Sequence, residues 1–91
     1  MTTGNLGDPQ EHDGGDVNFA VDLDGQPMFC TISREALDDH FDRTSYPDSV
    51  KAYLSNSEVI QAKAMQAAKL ALAAGATPTK SSRLLLKTAM F

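Results

Sequence analysis

Two short runs of alternating side chains meet at an Asp-Gly pair, and this constrains the chain more than any other feature. Val17, Phe19, Val21 and Leu23 alternate with Asn18, Ala20 and Asp22, and Met28, Cys30 and Ile32 alternate in the same way after the pair. A period of two marks a strand with one buried face. Asp24-Gly25 favours a type I′ turn, because both central positions need positive φ. A two-residue loop sets Val17 opposite Ile32, Phe19 opposite Cys30 and Val21 opposite Met28. That register puts every large apolar side chain on one face, so turn and alternation select the same pairing independently. Pro27 falls opposite Asp22 at a non-hydrogen-bonded position, which suits an edge there. Any third strand is therefore expected beside the first strand of the hairpin.

A hairpin alone is marginal in water, so the rest of the chain must cover it. Ser33 can cap a helix that follows the second strand, with Glu35 in the first turn, where the dipole favours an acid. Ala36, Leu37, His40 and Phe41 then recur at helical spacing. Pro47 suits a first helical position, and no Gly or Pro occurs from there to Ala74. Val50, Tyr53, Leu54, Ser57, Ile60, Ala64, Ala67, Ala68 and Ala71 form one stripe, and Gly75 suits the C-terminal cap. One unbroken helix would be about 42 Å long at 1.5 Å per residue. A chain of 91 residues folds to a radius of gyration near 12 Å. The helix must therefore break, for which the capping box Ser55-x-x-Glu58 offers a restart, or protrude onto a partner. The run Leu84 to Phe91 has strand length and supplies a third strand. The expected architecture is α+β: a small antiparallel sheet, made of the hairpin and a C-terminal strand, against two or three helices in the order ββα(α)αβ. Residues 1–15 are polar and glycine-rich around Leu6 and read as a mobile tail, leaving 16–91 as one domain.

The expected core is Val17, Phe19, Val21, Met28, Cys30, Ile32, Leu37, Phe41, Tyr53, Leu54, Ile60 and Leu86. The net charge is −4. It divides unevenly: residues 1–46 carry ten acids and two bases, and residues 47–91 carry two acids and six bases. The two halves should attract, within or between chains. No apolar run is long enough to span a bilayer, and the start shows no basic and apolar leader. A cytoplasmic protein is the expectation.

The residues Cys30-Thr31-Ile32-Ser33-Arg34-Glu35-Ala36-Leu37-Asp38-Asp39-His40-Phe41 resemble a family of short bacterial proteins with no assigned function. Its signature is Cys-x-Ile-Ser-x-Glu-Ala-Leu-x-Asp-x-Phe, and the resemblance covers about residues 16–75. It implies a small α+β bacterial domain and brings no activity, cofactor or catalytic residue. Members often carry an apolar strand and a tryptophan ahead of the hairpin, whereas Leu6 to Asp16 is polar here and the chain has no Trp.

Few residues are candidates for chemistry. Cys30 faces the core by register, where a thiol is inert. A thiol-dependent enzyme would need it near His40, which lies two turns into the helix and is expected half-buried beside Leu37 and Phe41. Asp38 and Asp42 stand at i and i+4, but two carboxylates alone hold a divalent ion weakly. Lys51, Lys63 and Lys69 could meet phosphate, but without the aromatic interleaving of single-strand binders. No cofactor, metal ligand set or catalytic group is assigned. Ala62 to Ala76 is apolar on more than one side, as in a deeply buried or shared helix. The expectation is a non-enzymatic interaction or regulatory domain, a homodimer associating through Ile60, Ala64, Met65, Ala68 and Leu72. Nucleic-acid binding through the lysines and a minor thiol-dependent enzyme are the alternatives.

Overall fold

The computed structural model describes residues 9–11, 14–79 and 81–91. The hairpin is as the alternation dictates. Strand β2 (Val17–Leu23) pairs antiparallel with β3 (Gln26–Ile32), with Val17 opposite Ile32, Phe19 opposite Cys30 and Val21 opposite Met28. Asp24 and Gly25 both adopt positive φ, 53° and 84°, as a type I′ turn requires. Val17, Phe19, Val21, Leu23, Met28, Cys30 and Ile32 are all buried on the inner face.

Among the described residues the sheet has four strands, arranged across it in chain order, and it departs from the expected sheet in two respects. Strand β1 (Gln10–Glu11) comes from the segment read as tail and pairs antiparallel with β2. Strand β4 (Leu84–Leu86) lies beside β3, not beside the first strand of the hairpin, and runs parallel to it. The sheet is therefore mixed rather than antiparallel. Between β3 and β4 the chain passes through the helices, a crossover of the length that parallel neighbours require. Pro27 remains at an open edge, because β4 covers only Cys30, Thr31 and Ile32. The final apolar run is also shorter as a strand than its length suggests, ending in a 3-10 turn at Thr88–Met90.

Helix α1 (Arg34–Phe41) starts as its cap predicts, the Ser33 hydroxyl accepting from the Ala36 N–H at 3.1 Å. Asp16 adds a second acceptor at this end, taking the Arg34 N–H at 2.8 Å. The Ser33 N–H donates to Leu86 O at 3.1 Å and ties the helix start to β4. A 3-10 turn (Arg43–Ser45) leads to α2 (Ser49–Ser55). Asp48, not Pro47, begins this helix, its carboxylate accepting from the Lys51 N–H at 2.9 Å. The long Gly- and Pro-free run does break. Asn56 separates α2 from α3 (Ser57–Ala73), and its side-chain amide turns back to donate to Ala52 O at 2.8 Å. Ser55 closes α2 instead of capping α3. Gly75, at φ 87°, ends α3 in a Schellman arrangement: Ala76 N–H donates to Ala71 O at 2.8 Å and Gly75 N–H to Leu72 O at 3.0 Å.

The break folds α3 back over the sheet. Ile60, Ala64 and Ala68 enter the core with Ala36, Leu37, Ala52, Tyr53 and Leu86. The Phe19 and Tyr53 rings lie 4.9 Å apart at its centre, and the Tyr53 hydroxyl accepts from Gln61 at 2.9 Å. Leu54 is not a core residue, being 49% exposed, because the short α2 turns its Ala52–Tyr53 side inward. Phe41 is only half-buried, at the margin of the core. The radius of gyration is 12.2 Å, so the molecule has the size its length dictates once the helix is divided.

Candidate functional site

The residues around Cys30 that resemble a family signature are taken up by folding. Cys30 and Ile32 are core, Ser33 caps α1, and Ala36 and Leu37 pack inward. Asp39 accepts from the Thr88 hydroxyl at 2.7 Å, and the Phe41 ring meets Phe91 edge-on at 5.3 Å. Cys30 itself is fully buried, with its Sγ 3.5 Å from Met28 O. Burial pushes its pKa up from 9.0 to about 12, and the nearby Arg83 guanidinium pulls weakly the other way. Arg83 donates to Cys30 O at 2.9 Å and to Phe19 O at 3.3 Å, and lies 5.8 Å over the Phe29 ring. This thiol is shielded from solvent and held protonated at neutral pH, the opposite of what a nucleophile needs.

His40 is exposed, not half-buried beside Leu37 and Phe41. The C-terminal segment passes its flank of α1, leaving the ring open on one side. Its Nε2 is 2.8 Å from Thr88 O, and its ring is 5.5 Å from Phe91. Asp39 and His40 thus fasten the C-terminal turn to α1. The i, i+4 carboxylates are spoken for locally: Asp38 pairs with Arg34 at 3.6 Å, and Asp42 accepts from the Ser45 hydroxyl. Among the described residues, no three His, Cys, Asp or Glu side chains come together as a metal site would require. The one ion pair among them, Arg34–Asp38, lies within the acidic half, so no ion pair joins the acidic and basic halves there.

The expected association surface is divided by the fold. Ile60, Ala64 and Ala68 are fully buried in the chain's own core, and Met65 and Leu72 pack half-buried against it. A second copy cannot reach the first three. The stripe lies on the sheet, in the same core as Ala52 and Tyr53 of α2 on the other side of the break at Asn56. What α3 offers outward is its opposite face. Val59 is 58% exposed and Leu70 is 69% exposed. Two open concavities run along this face and share Lys63 and Gln66. One, of about 500 Å³, is lined also by Glu58, Val59 and Ala62. The other, of about 260 Å³, is lined also by Ala67, Leu70 and Met90. The Lys63 ammonium lies 6.0 Å over the Phe91 ring, drawn to the C-terminal side.

The basic residues do not gather at this groove alone. Lys51 is exposed on α2, Lys69 on α3 and Lys87 after β4, while Lys80 lies outside the described residues. Among the described residues no helix is long and apolar enough to cross a membrane. No family model matches the chain, and neither does any curated protein or solved structure.

Proposed function

We propose that this chain is a small, non-enzymatic interaction module of a bacterial cytoplasm, a homodimer whose contact is the outward face of α3. The observation that carries this reading is the pair Val59 and Leu70, the two most exposed large apolar side chains among the described residues, each lining one of two adjoining concavities that share Lys63 and Gln66. Single exposed aliphatics are common on protein surfaces. Two on one helical face, lining adjoining concavities and opposite a filled core, are what a docking surface presents. The inner face of α3 already completes the core, so the outer pair adds nothing to folding the isolated chain.

The test is molar mass by light scattering across a concentration series at low salt. A mass that rises toward twice the chain supports the reading. A monomer at high concentration overturns it. Thiol labelling separates this reading from a thiol-dependent enzyme, because a module of this kind leaves Cys30 unmodified until the protein is denatured.

A further inference from the structure

We infer that the second copy docks with its α3 antiparallel to the first, Val59 of each chain on Leu70 of the other and Glu58 of each beside Lys69 of the other. The inference rests on the reading of α3 as a self-association face and adds its orientation and register. Val59 and Leu70 are eleven residues apart, so they sit within about 20° of one line along the helix. Glu58 and Lys69 have the same separation, and each precedes its apolar neighbour by one residue. Both therefore project from the same flank of the Val59–Leu70 line. They are exposed, and neither joins an ion pair among the described residues.

The shared flank decides the orientation. When two copies of a helix pack antiparallel about a two-fold axis, like flanks face each other; packed parallel, opposite flanks do. Only the antiparallel arrangement brings an acid at one end of this flank to the base at the other end, and symmetry makes that contact twice. It also sets the valine and leucine ends against each other and opposes the two helix dipoles. The two-fold axis then falls between Lys63 and Gln66, where the two concavities meet. Lys63 lines both concavities beside this axis, and its ammonium leans to the other flank, 6.0 Å over the Phe91 ring, so the two central cations are drawn apart and not toward each other.

Cysteine pairs read the orientation directly, since Cys30 is buried and offers no competing surface thiol. Under mild oxidation the double variant Val59→Cys/Leu70→Cys is expected to form a covalent dimer at least about tenfold faster than either single variant; within one helix its two thiols are too far apart to bond. Fast cross-linking of Val59→Cys alone and Leu70→Cys alone would mean parallel packing and overturn the inference. A dimer by mass that none of the three variants cross-links also overturns it, while leaving the interaction module standing. A monomeric wild type removes both. Glu58→Lys or Lys69→Glu should each weaken dimerisation roughly tenfold at low salt, because symmetry spoils two contacts at once. The combined swap should recover most of the loss, and thermal melts of dilute samples check that each variant is folded. Failure of the swap to recover what both single reversals lose would contradict the pairing.

Discussion

Both faces of α3 carry aliphatic side chains, and they do different work. The inner face presents Ile60, Ala64 and Ala68 to the sheet, and all three are fully buried. The outer face presents Val59, Ala62 and Leu70 to solvent around an open groove. Glu58, Lys63 and Gln66 mark the outer face as the more polar, but aliphatic side chains occur on both. What decides the fate of those aliphatic side chains is their neighbours. The inner face meets a sheet whose alternation has gathered seven large side chains onto one side. The outer face borders the C-terminal segment through Met90, beside Leu70, and Phe91, beneath Lys63, and its Val59 and Leu70 stay exposed. In a domain this small, one helix can close the core with one side and keep the other for a partner.

Substitutions on the two faces should therefore separate sharply. Ile60→Ala is expected to cost about 2–5 kcal/mol of folding stability, the range for emptying a buried aliphatic site, measured by urea unfolding. If it costs less than a surface change would, the inner face is not the core.

The buried thiol gives the next effect. Cys30 has its pKa raised from 9.0 to about 12 in the folded protein, and burial raises that of Tyr53 as well. A raised pKa means that the folded state keeps a proton the unfolded state releases. Stability from this source is intact below about pH 9 and falls as pH rises toward 12. Unfolding midpoints measured across that window should drop. A Cys30→Ala variant should drop less steeply, leaving the Tyr53 contribution.

At the start of α1, Ser33→Ala should cost about 1 kcal/mol through loss of the cap, read from the same urea curves. The smallest effect on folding belongs to the outer face: Leu70→Ser in dilute solution should stay within about 0.5 kcal/mol of the parent. A larger loss would show Leu70 working inside the monomer and would erase the contrast.

The hairpin was legible in the sequence because two independent signals, turn chemistry and alternation, select one register. Strand β1 was not, since two residues have no period and Glu11 finds its role only in space, accepting the Ser49 N–H at 3.0 Å. The parallel placement of β4 was hidden for a related reason: three leucines show that a strand exists but not which neighbour it takes. In α3 the stripe through Ile60, Ala64 and Ala68 was readable, but its occupant was not. Periodicity shows that a stripe is apolar but not whether the sheet or a partner covers it. The outer pair Val59 and Leu70 could have been found as the apolar residues left over once the inner stripe is subtracted. His40 escaped because its partner, Thr88, lies 48 residues away along the chain.

The most direct test of the division between the two faces is a single variant read twice. Leu70→Asp would be melted in dilute solution, where association adds nothing to apparent stability, and then weighed by sedimentation at high concentration. The expected result is a parent-like melt with the dimer lost at concentrations where the parent forms it. A variant that melts early, or one that still dimerises as the parent does, would contradict the assignment of folding to one face of α3 and docking to the other.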